Sequence, residues 1–567
     1  MRKMLLIIVC LLPIYLCAQN RYDVVIDEIM ADPTPVVGLP NNEWIELKNT
    51  TTSAINLSNW RIGDASGQSG PMPNYILQPD SYVIICTGSA VAAMSAYGAV
   101  ISVTSFPSLD NDAEQLYLKA ANGKTIHAVS YTAAWYQNEV KKDGGWTLEM
   151  IDTKSPCAGS GNWKASISTT GGTPAAKNSI DAVNNDAIAP QLKKAYTTDN
   201  STIILVFDEP LDSLSGATLS NYTSDGGLNF AGATTLAPLF NQVQLKTTAP
   251  LTVNTVYTIT ATNAKDCKGN TINNSNKAKV GLPVDAVAGD WIINEILFNP
   301  KPNGYDYVEF YNNSNKILDA AKLFIANRSS TGVISSIKPL STAIHYIFPN
   351  DYIVVTEDAD NLALNYLVKN PDNVLVIASM PSFPDDAGDV VALNFQGEVV
   401  DEVKYKDDWH FKLIDNAEGV SLERIDPNAP AQDAGNWHSA ASTAGYGTPT
   451  YKNSQYKQTA TVDATITIAP KIFSPDNDGR DDLASIQYQI EEAGYVANIT
   501  IFDAGGRPVK NLVRNGTLAL SGYWNWDGLD DKGNKLSIGT YVIFTEIFNL
   551  QGKKKQFKNT VVLARKF

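Results

Sequence analysis

The sequence predicts an all-β chain, with four β-sandwich domains in tandem behind an export leader. Three observations predict it. Short runs alternate with period two, as Ile45 and Leu47 do against Trp44, Glu46 and Lys48; that is strand spacing, not helix spacing. Turn pairs such as Asn122-Gly123 and Gln396-Gly397 recur between such runs, as the many short strands of a sandwich require. Long stretches of the chain occur twice. At 567 residues the chain exceeds a single core, and usual domain sizes suggest roughly three to five.

Residues 1–18, MRKMLLIIVCLLPIYLCA, place two basic residues ahead of an apolar run that ends on small residues. This reads as a secretory signal peptide cleaved before Gln19, too short to be a retained membrane span. Cys17 raises a lipid-anchored alternative, against which Leu16 stands where lipid attachment wants Gly or Ala. No later stretch reaches spanning length, so the expected location is secreted or cell-surface, with no transmembrane segment. The formal net charge of -15 gives no long-range attraction for a phosphate backbone, so no nucleic-acid partner is expected. Beyond the leader, Cys86, Cys157 and Cys267 are too few for a disulfide framework. Cys86, within SYVIICTG, reads as a buried thiol. A Cys157–Cys267 bridge stays open.

The duplication organises the chain. VVIDEIMADPTP (24–35) returns as WIINEILFNPKP (291–302), and NEWIELKN (42–49) as YDYVEFYN (305–312). WTLEMID (146–152) returns as VSLERID (420–426), GNWKAS (161–166) as GNWHSA (435–440), and GTPAAKNS (172–179) as GTPTYKNS (447–454). The pattern INEI, P, YVEFYN, DEVKY, W, SLERIDP, GNW, GTP, KNS resembles the bacterial lamin tail domain in both copies, 19–181 and 287–456. The first copy departs from it in having Asp27 where the second has Asn294. The resemblance implies immunoglobulin-like sandwiches without catalysis and with no common ligand.

Between the copies, 186–283 carries STIILVFDEPLD and VYTITATNAKDCKGNTI, in which Tyr257, Ile259 and Ala261 share one strand face. These segments resemble the bacterial Ig-like domains of surface-layer and adhesin-type proteins. From 462 to 567, FSPDNDGRDD, FDAGGRPVKNL and WDGLDDKGN followed by GTY resemble the FlgD-like Ig domain and the C-terminal modules of gliding and type IX secretion substrates. That resemblance implies export through type IX secretion machinery. Within it, Tyr495, Ala497, Ile499 and Ile501 alternate onto one face.

The segment SPDNDGRDD (474–482) is the candidate metal site. Asp476, Asp478 and Asp482, with the carbonyl of Arg480, could converge on a hard cation that wants six to eight oxygens, and Gly479 permits the sharp turn. Calcium in a structural role is the expected cofactor, and a solvated acidic turn is the alternative. Gln487 stands where an EF-hand would place its bidentate Glu, so the likeness is to shorter extracellular calcium loops.

No catalytic residue is expected. His127, His345, His410 and His438 form no close ligand pair, and no nucleophile elbow or phosphate loop is present. Glu28 and Glu295 match in the repeat, as do Glu46 and Glu309; these read as solvent-facing or backbone-bonding strand residues rather than an acid–base pair. The acidic turns Asp110–Asp112 and Asp385–Asp389 read as solvated hairpins. Trp163 with Trp437, Trp135 with Trp409, and Trp526 read as core pieces rather than sugar platforms. The expected function is a non-enzymatic adhesion or scaffold protein that meets an unknown surface or matrix ligand, polysaccharide or protein. The alternative is an accessory carbohydrate-binding component of an extracellular degradative system.

Overall fold

The structure, a computed structural model, describes residues 19–412, 414, 416–456, 464–550 and 553–565. The expected leader and residues 457–463 lie outside the described residues. Strands dominate, and the longest described helix is Ala359–Asn365. No described helix is long and apolar enough to cross a membrane. The chain divides into two compact units, Met1–Leu251 with Tyr257–Val280, and Thr252–Val256 with Gly281–Phe567.

In the first unit a six-stranded sheet runs in the order Trp163–Ala165, Leu148–Met150, Val24–Met30, Trp44–Asn49, Tyr82–Cys86, Val100–Ser102. It shares one core with the sheet of Arg61–Gly63, Ala113–Lys119 and Thr125–Thr132: Ile26, Ile45, Leu47 and Val83 from one side, Ile62, Leu116, Leu118 and Ile126 from the other. The second unit repeats the order as Trp437–Ser439, Leu422–Arg424, Trp291–Leu297, Tyr307–Asn312, Tyr352–Thr356, Val374–Val376. In both sheets the last pair is parallel. Both first strands carry a register shift at the same place, between Ile26 and Glu28 and between Ile293 and Glu295. The repeated sequence is a repeated topology.

Strand alternation predicts one solvated face for Trp44–Asn49, but all six residues are buried. The reason is tertiary. Residues 171–180 fold back as a strap whose donors bond Glu28, Glu46 and Glu149, while Ala175 packs on a second small cluster of Met30, Leu39, Trp44, Ile84 and Cys86. The sheet is therefore covered on both sides.

The rest of the first unit pairs a four-stranded sheet, Leu192–Asp199, Thr202–Phe207, Gln242–Thr247, Phe230–Leu236, with a three-stranded one, Tyr222–Ser224, Tyr257–Ala261, Lys277–Val280. Tyr257, Ile259 and Ala261 are buried and the residues between them are not, as the alternation predicts. The Cys157–Cys267 disulfide ties this part to the first sheet pair. It joins residues 110 apart, a loop worth about 5 kcal/mol in the chain-entropy account. Arg21 adds a second tie, donating to the Leu211 carbonyl at 2.7 Å and lying 4.0 Å over the Phe240 ring. Cys86 is buried and free, its thiol pushed up to about 11 by burial.

At the end of the second unit, Thr465–Ala469, Ala484–Gln489 and Ser521–Trp526 form a three-stranded sheet over the five-stranded sheet Ile472–Phe473, Lys554–Leu563, Gly539–Asn549, Tyr495–Phe502, Pro508–Thr517. Phe473, Ile486, Ile499, Trp526 and Ile543 fill the space between them. Tyr495, Ala497, Ile499 and Ile501 are all buried, as expected.

Candidate metal sites and a buried carboxylate ladder

The repeat-matched glutamates stand side by side on neighbouring strands. Glu28 pairs with Glu149 on one side and Glu46 on the other, and all three are 0% exposed. Directly opposed cross-strand residues lie about 5 Å apart, so two such charges repel by roughly 3 kcal/mol even at an effective dielectric of about 20. The strap supplies donors. Thr173 N–H bonds Glu28 Oε1 at 2.7 Å, Ala175 N–H bonds Glu46 Oε2, and Thr173 Oγ1 and Ser179 Oγ bond the two oxygens of Glu149. Thr147 Oγ1 also donates to Glu28 Oε1. Asn178 pins the strap by donating to the Asp27 and Met150 carbonyls. The conserved spelling of the two repeats, GTP followed by KNS, is therefore the spelling of a carboxyl-binding strap.

The second unit builds the same ladder from Glu423, Glu295 and Glu309. Thr448 bonds Glu295 and Glu423, Thr450 N–H bonds Glu309 Oε2, Ser454 and Gln455 bond Glu423, and Asn453 pins the strap. Two side chains add donors that the first copy lacks. Tyr307, where the first copy has Trp44, donates its hydroxyl to Glu295 at 2.7 Å. Asn294, where the first copy has Asp27, donates its amide to Glu309 Oε1 at 2.8 Å. Each carboxyl oxygen of the second ladder has a donor group within hydrogen-bond distance, with the single Thr448 hydroxyl lying between Glu295 Oε2 and Glu423 Oε1. In the first, Glu28 Oε2, Glu46 Oε1 and Asp27 Oδ1 are buried without a partner, as is the Trp44 indole N–H.

Burial pushes these acids up, with acidic neighbours adding to it: Asp27 to about 7, Glu28 and Glu423 to about 8, Glu46 and Glu309 well above the usual range. The expectation that the matched glutamates face solvent is therefore corrected. They bond neighbouring backbone, as the alternative held, but from inside the protein.

Carboxylate oxygens converge to within 4.8 Å in threes at two other places among the described residues. The first is the expected one, Asp476, Asp478 and Asp482. Asp482 organises the loop: its Oδ1 accepts the Asp476 and Asn477 N–H groups and its Oδ2 accepts the Gly479 N–H at 2.9 Å. Gly479 takes φ +83°, the left-handed region expected for it. Arg480 enters through its N–H, which donates to Asp478 Oδ1 at 2.9 Å. Gln487 lies in the next strand, paired with Thr467. Asp476 and Asp478 are exposed and Asp482 is half-buried, so a hard cation could be held there at the entrance to the Ala484–Gln489 strand.

The second convergence, Asp186 with Glu209 and Asp266, was not foreseen. Asp266 is 1% exposed and accepts from Lys268, Asn270 N–H and the Asn270 amide. Asp186 Oδ2 and Glu209 Oε1 are buried without partners, and burial with the Asp266 and Asp186 charges pushes Glu209 up to about 8. A signal was present, since VFDEPLD and KDCKGN each carry one of the acids; only the fold shows that they meet. Asp110–Asp112 and Asp385–Asp389 form no such convergence among the described residues.

The remaining candidates are structural in setting. His127 is buried, accepts the Ile26 N–H at Nδ1, and is held down to about 3 by burial. His410 contacts Ser439 Oγ through Nδ1 and is held down to about 4 by burial. Trp135 meets Trp163 at 6.4 Å, and Trp409 meets Trp437 at the same distance. Trp163, Trp437 and Trp526 are buried in their cores, as expected.

Comparison with known proteins bears on the first unit. Residues 18–133 match the family model of the lamin tail domain, and 181–280 that of a bacterial Ig-like domain. The chain carries a lamin tail domain and a bacterial Ig-like domain. The lamin tail match ends before the Leu148–Met150 and Trp163–Ala165 strands, which the structure nevertheless places in the same sheet. No curated protein matches the chain. Among solved structures, the N-terminal part of the bacterial S-layer protein SbsC is similar at 14% identity over 30% of this chain and 40% of that one, TM-score 0.17. A DUF4876 family protein from Bacteroides thetaiotaomicron is similar at 12% identity over 34% and 78%, TM-score 0.17. A Ca2+-stabilised adhesin of an Antarctic bacterium is similar at 9% identity over 97% and 100%, TM-score 0.12. The chain thus spans less than half of the SbsC fragment.

Proposed function

We propose that this is a secreted or cell-surface, non-enzymatic protein of four immunoglobulin-like sandwiches, acting in adhesion or as a scaffold. On this reading residues 287–456 are a second lamin tail domain and 462–567 a FlgD-like domain. The observation that carries it is the state of the repeat-matched acids. Glu28, Glu46, Glu295 and Glu309 are 0% exposed and bonded by the straps, so the groups best suited to acid–base chemistry hold the modules together. Two further features support a passive role. A disulfide suits an oxidising compartment, and the Asp476, Asp478, Asp482 loop, with the Arg480 carbonyl, suits calcium used as a clip rather than as a reactant.

The test is a pair of binding assays on the purified chain, against whole cells and against insoluble polysaccharides. Retention on cells that soluble sugar does not release supports adhesion. Retention on a glycan that soluble sugar does release moves the reading to the carbohydrate-binding alternative. Polymer hydrolysis that disappears in Glu46→Gln or Glu309→Gln would sink the non-enzymatic reading. Export by type IX machinery is tested by deleting 463–567, which should trap the protein in the periplasm.

A further inference from the structure

The two ladders differ in what completes them. In the second, the Asn294 amide reaches Glu309 Oε1, the counterpart of Glu46 Oε1. In the first, Glu28 Oε2 and Glu46 Oε1 belong to directly paired residues, are shut away from water, and have no donor. A buried acceptor without a donor is destabilising, and the smallest group able to serve such an oxygen is a proton. Asp27 adds a fourth acid beside them, also with an unpartnered oxygen.

The surrounding charges do not relieve this. Lys48 faces the cluster from the paired strand but also contacts Asp80 at 3.5 Å, and Lys141 lies toward Glu149. Asp80 and Asp181 add negative charge from the turn before Tyr82 and from the strap's end, where Asp181 pairs with Lys177 at 2.7 Å.

We infer that the first strap is a proton-held latch: residues 171–180 close over Glu28 and Glu46 while protons occupy the ladder, and rising external pH opens this strap before the matching strap 446–456. The folded ladder binds protons that the unfolded chain has already released above the usual carboxyl range. The closing preference is therefore full below about pH 4.5 and falls as pH rises toward about 8, by up to tenfold per pH unit for each proton lost.

The two straps report on themselves, because each carries an exposed lysine, Lys177 or Lys452. Limited trypsin digestion of the whole chain gives a ratio of cleavage after Lys177 to cleavage after Lys452, in which the protease's own pH dependence cancels. The ratio is expected to rise about tenfold or more from pH 6 to pH 9. Asp27→Asn, which installs the amide of the second ladder, should flatten the rise. Asn294→Asp should steepen the pH dependence of Lys452 cleavage. A ratio that stays level across this range, or a slope that neither substitution alters, overturns the latch.

Discussion

The carboxyls of the Glu28, Glu46 and Glu149 ladder and those of the Asp476, Asp478 and Asp482 loop are the same chemical group in opposite surroundings. Both sets accept backbone N–H groups, the ladder from Thr173 and Ala175 and the loop from Asn477 and Gly479. The ladder is sealed by its strap, while two of the three loop acids are exposed. Burial therefore selects the ion. A dry cluster lowers its charge by taking protons, whereas a wet one is open to a hydrated metal ion.

The largest effect that would break this comparison is at Glu28. Glu28→Ala leaves the Thr173 N–H without its carboxyl acceptor and opens a cavity in the sheet, and should cost the first module about 3 kcal/mol, read as a lowered denaturant midpoint. Glu28→Gln keeps the shape and needs no proton, so it should cost less than half as much. Equal losses in the two variants would mean that the ladder is not proton-bearing.

Calcium comes next. At a hundred times its dissociation constant it should stabilise the last region by about 2.7 kcal/mol and leave hydrogen exchange in the first strap unchanged. Asp478→Asn should abolish the gain. A gain that survives this substitution would move the cation elsewhere, with Asp186, Glu209 and Asp266 the first place to look.

The smallest effect is at Gly479. An added Cβ meets nothing within 4 Å, yet φ is +83°. Gly479→Ala should therefore cost about 1 kcal/mol through the backbone alone, and bound calcium should mask part of that loss.

The Asp loop was legible in the sequence because its acids lie within nine residues and local chain geometry brings them together. The ladder was only half legible. The repeat marked Glu28, Glu46, Glu295 and Glu309 as equivalent, but alternation in a single strand cannot tell a solvated face from one covered by a segment about 130 residues away, as Ala175 covers Glu46. The Asp186, Glu209, Asp266 convergence was not legible, since its three members come from a linker, a strand end and a distant loop.

By itself the sequence determined the strands, the duplication and the hydrophobic faces, because period-two alternation and turn residues act over a few positions. Only the tertiary structure decided which acids are dry, that Cys157 meets Cys267, and that the GTP and KNS segments are straps. Those outcomes depend on which distant piece of chain displaces water from a given face, and no local pattern encodes that.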